Sequence, residues 1–398
     1  MRHMTKTLQS GQLAHAKLLV RVPNWVGDAV MCLPALRALR VLLPEAELAL
    51  LARPWVRDVF PLEELGCRVI PYDTAGPHRG LRGRGRIASE LRRERFDAAI
   101  LFQNAFDAAF ITRLAGIPIR AGYSRHGRRL LLTHAVAAPR TGTVGHEVHY
   151  YLELLRRLGL IASYAPVACV TLPSSQGSRS QAHARLHARV AQDIPALVRA
   201  SGTEHPLIGI SPGATFGTAK RWPAPRFAEL AARLHNETGA ACIFFGAAQE
   251  KALAEQVIAL AAIPALSLAG KTSLAEFIEL VQGCDLFVTN DTGTMHVAAA
   301  LGVPTLAIFG PTNEQETRPL GRSVELVTGE AFCRPCKLRR CPIDHRCMNS
   351  VAVDQVFQAA QRLLRRQPAA ALPASGKTLE PRPPLVLQQD VLQQDRAQ

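Results

Sequence analysis

The sequence predicts an α/β protein built on two doubly wound parallel sheets, and three observations lead there. Short runs of Val, Ile, Leu and Ala recur as continuous apolar stretches, the pattern of strands covered on both faces. Each run gives way to a Gly, Asp or Asn turn and then to an Ala/Leu/Arg-rich segment at helical spacing. The chain has 398 residues, 48% of them hydrophobic, too many for one ordinary core and enough for two.

Taken in order, the expected strands are "KLLVRV" (17–22), "ELALLA" (47–52), "AAILF" (98–102), "PLIGIS" (206–211), "ACIFFG" (241–246), "LFVTN" (286–290) and "TLAIFG" (305–310). Residues 1–16 lack the apolar block of a secretory signal and read as a flexible extension. The first domain is expected over 17–180. The stretch 174–206 has no strand character and precedes a fresh strand start, which puts the seam there and the second domain over 181–350. A closing amphipathic helix is expected within 351–366, "VAVDQVFQAAQRLL", followed by a Pro/Gln/Ala-rich disordered tail over 367–398. No run of about twenty apolar residues occurs, so no membrane-spanning helix is expected and the cytoplasm is the expected location.

The formal net charge is +15, with arginine concentrated in "RGLRGRGRIASELRRER" (79–95) and "RAGYSRHGRR" (120–129). Such an excess suits nucleic acid, an anionic membrane surface or a strongly anionic substrate; a generic Arg-rich surface accounts for the total equally well. Aromatic residues make up only 6% and no RNA-recognition, helix-turn-helix or zinc-finger pattern occurs. Bases would find few stacking platforms, so nucleic acid is not an expected partner.

Ligands of open parallel sheets sit beyond the carboxyl ends of strands, which singles out three turns. In "VPNWVGDAV" (22–30), Gly27 permits a tight backbone and Asp28 falls at a helix start. That carboxylate either caps the helix or faces the interdomain cleft and takes up a proton. "SPGATFGTAKRWP" (211–223) places two glycines and two threonines ahead of Lys220 and Arg221, a phosphate-friendly loop without Walker spacing. In "DLFVTNDTGTMHVAAALGVPTLAIFGP" (285–311), Asn290, Asp291 and Thr292 leave a strand, and Gly293 lets the backbone turn into a helix. The first amides of that helix lack internal partners and carry the positive end of its dipole, an anion cradle. His296 is either a ligand contact or a packed structural residue.

Of the nine cysteines, Cys32, Cys67, Cys169, Cys242 and Cys284 are scattered and read as ordinary thiols. Cys333, Cys336, Cys341 and Cys347 fall within "CRPCKLRRCPIDHRC", where a structural zinc, reduced thiols and disulfides are all open, with His345 a substitute ligand. A reducing cytoplasm argues against disulfides.

Three stretches resemble the lipopolysaccharide heptosyltransferases of glycosyltransferase family 9: "PNWVGDAVMCLPALRAL", "ISPGATFGTAKRWPAPRFAELA" and "VTNDTGTMHVAAALGVPTLAIFGPT". "WVGD" and "PGA-x-FG-x-AKRWP" resemble most the branch that adds the second heptose, heptosyltransferase II. The resemblance covers roughly 17–365. It implies a GT-B fold of two Rossmann-like domains across a cleft, acceptor on the first domain and ADP-heptose on the second. It further implies inverting transfer with no metal or other cofactor in catalysis, to Kdo2-lipid A-heptose, the first heptose of the inner core, at the cytoplasmic face of the inner membrane. By the same resemblance Asp28 falls on the catalytic base and Lys220 on the residue meeting the donor phosphates. Asp291, Thr292, Gly293 and His296 fall on the donor loop, Thr215 and Phe216 beside the nucleotide, and Glu250 near a donor-sugar or ribose contact. Arg79, Arg82, Arg84, Arg86 and Asn104 lie where acceptor contacts are expected. Competing readings are heptosyltransferase I or a later core heptosyltransferase, a nucleotide-sugar epimerase on the same scaffold, and a nonenzymatic anion or nucleic-acid binder. Transfer assays set against RNA binding separate these.

Overall fold

The computed structural model describes residues 7–140, 142–173, 179–195 and 205–366. The first half runs β1 (Lys17–Arg21), α1 (Val26–Met31), α2 (Leu33–Leu42), β2 (Glu47–Ala52), β3 (Cys67–Pro71), α3 (Gly80–Glu94), β4 (Ala98–Leu101), α4 (Phe106–Leu114), β5 (Ile119–Tyr123), β6 (His134–Val136) and α5 (Glu147–Arg157). The second begins with α6 (Arg179–Asp193), β7 (Leu207–Ser211), α7 (Ala224–Thr238), β8 (Ala241–Phe244), α8 (Lys251–Ala261), β9 (Ala265–Ser267) and α9 (Leu274–Gln282). It continues through β10 (Leu286–Asn290), α10 (Gly293–Ala300), β11 (Thr305–Phe309), α11 (Glu314–Thr317), β12 (Val324–Thr328), α12 (Arg346–Asn349) and α13 (Val353–Arg365).

Both sheets are six-stranded and parallel, in the orders β3-β2-β1-β4-β5-β6 and β9-β8-β7-β10-β11-β12. Each half is therefore wound outward twice from its first strand, and the α/β expectation holds as two Rossmann-like sheets of the GT-B arrangement. All seven strands read from sequence are present. The five it missed, β3, β5, β6, β9 and β12, lie away from the sheet centres. In β3 and β12 no residue is fully buried, so no continuous apolar run marks them. β5 carries Arg120, tolerated because its guanidinium bonds the Leu131, Ile117 and Pro118 carbonyls.

Strand order reverses between β1 and β4 and again between β7 and β10, and crevices open at those points. The two crevices face one another because the lobes touch beside them. Val170 and Leu172 donate backbone hydrogen bonds to Leu320 and Ala300 of the second half. His146 Nε2 donates to the Arg318 carbonyl at 2.7 Å. One apolar cluster runs from Leu18, Leu36 and Leu155 across the junction to Phe245, Phe277 and Phe287.

Within the expected N-terminal extension, residues 7–16 are docked rather than free. Leu8 and Leu13 are buried and Leu8 N donates to Leu158 O at 2.7 Å, so two apolar anchors hold it down. Helix α13 packs on α7 and on β10–β12, burying Val356, Phe357 and Leu363. The expected tail, 367–398, lies outside the described residues. Among the described residues no helix is long and apolar enough to cross a membrane.

Candidate active site

On the first lobe, β1 hands over to α1 through Pro23, Asn24 and Trp25. The turn is held from beneath by Arg21, whose guanidinium donates to Val22 O at 2.6 Å, Leu51 O at 3.1 Å and Asn24 Oδ1 at 2.6 Å. Trp55 Nε1 adds a bond to Asn24 O at 2.8 Å. Trp25 is the N-cap of α1 but contributes no side-chain bond. Asp28, in the first turn, makes no side-chain hydrogen bond among the described residues, so it does not cap the helix. Burial, with the Glu147 carboxylate second, pushes the Asp28 carboxyl up to about 7, and Lys220 pulls it the other way. A carboxyl so placed changes charge near neutrality, where a general base works best.

On the second lobe, Lys220 closes a short 3-10 turn, Thr218–Lys220, beyond β7. Its Nζ lies 2.6 Å from Asp291 Oδ2, with both side chains largely buried, and Thr312 Oγ1 donates to the same oxygen at 2.5 Å. An ammonium has three N–H groups, so Asp291 aims Lys220 without exhausting it. Phe216 packs beneath two cations, Lys220 Nζ at 4.9 Å and the Arg339 guanidinium at 5.0 Å from its ring centre. Asn290 ties the β7 and β10 turns together. Its amide donates to Pro212 O at 2.8 Å and Gly213 O at 3.1 Å, and its carbonyl accepts from Trp222 N at 3.0 Å. Glu250 presses on Gly213, where a Cβ would lie 2.1 Å from its carboxylate. Thr292, the N-cap of α10, offers no side-chain cap, which leaves the helix mouth available to an anion.

The two helix starts meet backbone to backbone. A Cβ on Gly27 would stand 2.9 Å from His296 Cδ2 and 3.4 Å from Gly293 Cα; one on Gly293 would stand 3.0 Å from Gly27 N and 3.1 Å from Val26 Cβ. Only a residue without a side chain fits either position. His296 is 6% exposed and packed on Gly27, and burial, with His146 and Lys220 behind it, holds its imidazole down at about 3, neutral at working pH. Asp28 thus feels the charge of Lys220 from the opposite lobe, and its neighbour Gly27 packs on Gly293 and His296.

A family model described as glycosyltransferase family 9 (heptosyltransferase) matches residues 84–346, well over half of the chain. The chain belongs to glycosyltransferase family 9. This heptosyltransferase is 33% identical over 326 residues to lipopolysaccharide heptosyltransferase 2 of Salmonella typhimurium, covering 79% of this chain and 89% of that protein. It is 31% identical over 324 residues to lipooligosaccharide heptosyltransferase 2 of Haemophilus influenzae, with the same coverages of 79% and 89%. The solved structure of E. coli ADP-heptose LPS heptosyltransferase II superposes with a TM-score of 0.69 at 28% identity, covering 88% of this chain and 98% of that one.

In the family 9 chain, Asp28, Lys220, Asp291, Thr292, Gly293 and His296 come together at the cleft, with Phe216 beneath Lys220 and Glu250 behind the β7 turn. Thr215 is exposed. The expected acceptor residues do not form one group. Arg79, Arg82 and Arg86 are exposed along α3, whereas Arg84 turns toward α4 and pairs with Asp107. Asn104 is engaged by Arg128 at 2.9 Å and by Tyr150 Oη at 2.8 Å. Sequence reasoning missed His146, Glu147, Thr312 and Arg339. Glu147 follows a helix N-cap far from every motif, and burial beside Glu316 raises its carboxyl.

The cysteine-rich segment of the heptosyltransferase packs over the Gly217–Lys220 turn. Arg339 O accepts from Ala219 N at 3.1 Å, and Lys337 N donates to Pro311 O at 2.8 Å. Arg334 bonds the Gly310, Gly329 and Thr312 carbonyls and Glu314. All four of its cysteines are free. Among the described residues no group of three or more His, Cys, Asp or Glu is arranged to hold a metal ion, although Cys333, Cys336 and Cys341 all lie close enough to Cys347 to raise its thiol. The segment keeps its place through arginine–carbonyl bonds.

Proposed function

We propose that this heptosyltransferase moves heptose from ADP-heptose to the first heptose of the lipopolysaccharide inner core, with inversion and without a catalytic metal. The observation that carries the reading is Asp28, poised near neutrality on one lobe and within electrostatic reach of Lys220 on the other, whose loop adjoins the uncapped N-terminus of α10.

Asp28 takes the proton of an acceptor heptose hydroxyl as its oxygen attacks the anomeric carbon. The bond to the diphosphate breaks on the opposite face and ADP leaves with the electron pair. Negative charge grows on the diphosphate, where the remaining Lys220 N–H groups and the first amides of α10 donate. Those groups supply the positive charge that a divalent cation supplies elsewhere. Phe216 and Thr215 border the nucleotide, and Glu250, held against Gly213, faces its ribose or sugar. Second-heptose specificity follows the naming of the similar enzymes. The basic first lobe favours capture of an anionic acceptor and peripheral attachment to the cytoplasmic face of the inner membrane.

The test is to incubate the protein with ADP-heptose and defined truncated lipopolysaccharides, with and without EDTA. The expected result is one added heptose on acceptors that already carry the first, inverted at the anomeric carbon and unchanged by EDTA. Transfer to heptose-free acceptor alone would assign the first-heptose reaction instead. On membrane-embedded acceptor, raising salt from 50 to 300 mM should slow transfer; a flat response would remove the electrostatic capture.

A further inference from the structure

Beyond the carboxyl ends of β1–β4 the first lobe contains a pocket of about 320 Å³, lined among others by Arg21, Asn24, Arg53, Tyr72, Arg84 and Asp107. Its charges do not balance. Asp107 is the acidic residue of the lining, and it is already engaged by Arg84 and, at 2.6 Å, by Tyr72 Oη. Arg21 is 2% exposed, and Arg53 lies beside it, both guanidiniums over the Tyr72 ring at 5.5 and 4.3 Å from its centre. Among the described residues their bonds go to carbonyls and Asn24, no carboxylate lies within ion-pair distance of either, and the Nε of each is buried without a partner. Two buried like charges in contact with one ring, each with an idle donor, are costly unless an anion completes them.

We propose that this pocket is an anion subsite that seats a carboxylate or phosphoryl group of the acceptor against Arg21 and Arg53. The assignment rests on the acceptor reading above and adds to it which residues grip the acceptor and by what chemistry. Placement supports it. Asn24 is at once a wall of the pocket, a partner of Arg21 and Trp55, and the fourth residue before Asp28. A group anchored here sits against the turn that leads into the helix carrying the base. The arginines also sense one another. Burial, with Arg53 second, lowers Arg21 to about 9, so it remains charged at neutral pH in a state that an anion would relieve. The outward arginines of α3 have no such geometry.

The experiment uses the full chain and two substitutions of opposite sign. Arg53→Gln should raise the acceptor KM about tenfold or more while donor KM and ADP affinity stay at wild-type values. Asp107→Asn, which removes the pocket's acidic group, should lower the acceptor KM. Free Kdo and inorganic phosphate, titrated against intrinsic fluorescence, supply a readout independent of turnover, because Trp55 lies 5.7 Å from Arg53. A response to Kdo assigns a carboxylate and a response to phosphate a phosphoryl group, each lost in Arg53→Gln. Wild-type acceptor KM in Arg53→Gln, or no response to either anion, overturns the subsite. If the wild type transfers no heptose yet the anion response and its loss persist, the subsite stands and the acceptor reading fails.

Discussion

The two lobes share a strand order and differ in what they mount on it. At the β7/β10 switch point, apart from the buried Arg221 Nε, the polar groups named above are paired within the lobe: Lys220 with Asp291, Asp291 with Thr312, Asn290 with three backbone groups. At the β1/β4 switch point they are left wanting. Asp28 has no hydrogen-bond partner among the described residues, and Arg21 and Arg53 each keep an idle Nε. One topology therefore makes two crevices in matching places, and side-chain chemistry makes one a prepared cradle and the other an electrostatically tense surface. A preformed cradle suits a donor whose diphosphate is always the same. A tense surface suits reaction, because unpaired groups gain most when the partner arrives.

The sharpest way to break this contrast is to neutralise the tense side. Asp28→Asn should lower kcat by about 10²–10⁴ while ADP-heptose binding persists; transfer within tenfold of wild type would return Asp28 to a bystander. On the prepared side, Lys220→Ala should cost about 10²–10³ in kcat with the fold retained, measured by circular dichroism beside turnover. Near-normal turnover would remove the assigned charge. Gly293→Ala tests the contact between the lobes. Its Cβ would meet Gly27 N at 3.0 Å, so kcat/KM should fall about tenfold as the lobes part. An unaffected rate would show that the touching helix starts are dispensable.

The smallest expected effect concerns stability and has a definite sign. The Asp28 carboxyl is pushed up to about 7 in the folded chain from an ordinary carboxyl value of 3.8. The folded state therefore binds this proton more tightly than the unfolded state. Stability from this group falls as pH rises from about 4 to 7, and the penalty above 7 is at most about 4 kcal/mol. Asp28→Asn should thus melt a few degrees above wild type at pH 8 and alongside it at pH 4. Equal melting temperatures at pH 8 would mean the carboxylate is not strained. In the wild type, kcat/KM should drop below about pH 7 as the base takes up its proton.

Much of this was legible along the chain. Central strands showed as continuous apolar runs because both their faces are covered, and β1, β7, β10 and β11 appeared where expected. Outer strands did not, since β9 and β12 keep partly exposed faces and their residues resemble loops. The three turns announced themselves because glycine, threonine and acidic residues cluster where a strand hands over to a helix. Arg79, Arg82 and Arg86 looked equal to Arg84 in sequence, yet helical rotation separates them by about half a turn from it. Asn104, expected at the acceptor, is held by Arg128 and Tyr150.

From its residue pattern alone the chain determined two parallel sheets, the places where their strands end, and the turns able to receive an anion, because these depend on neighbours within a few residues. Tertiary structure decided the state of Asp28, the idle guanidiniums of Arg21 and Arg53, and the fit of Gly27 against Gly293. Each depends on burial and on charges brought from more than a hundred residues away or from another strand end, and local spacing carries no record of either.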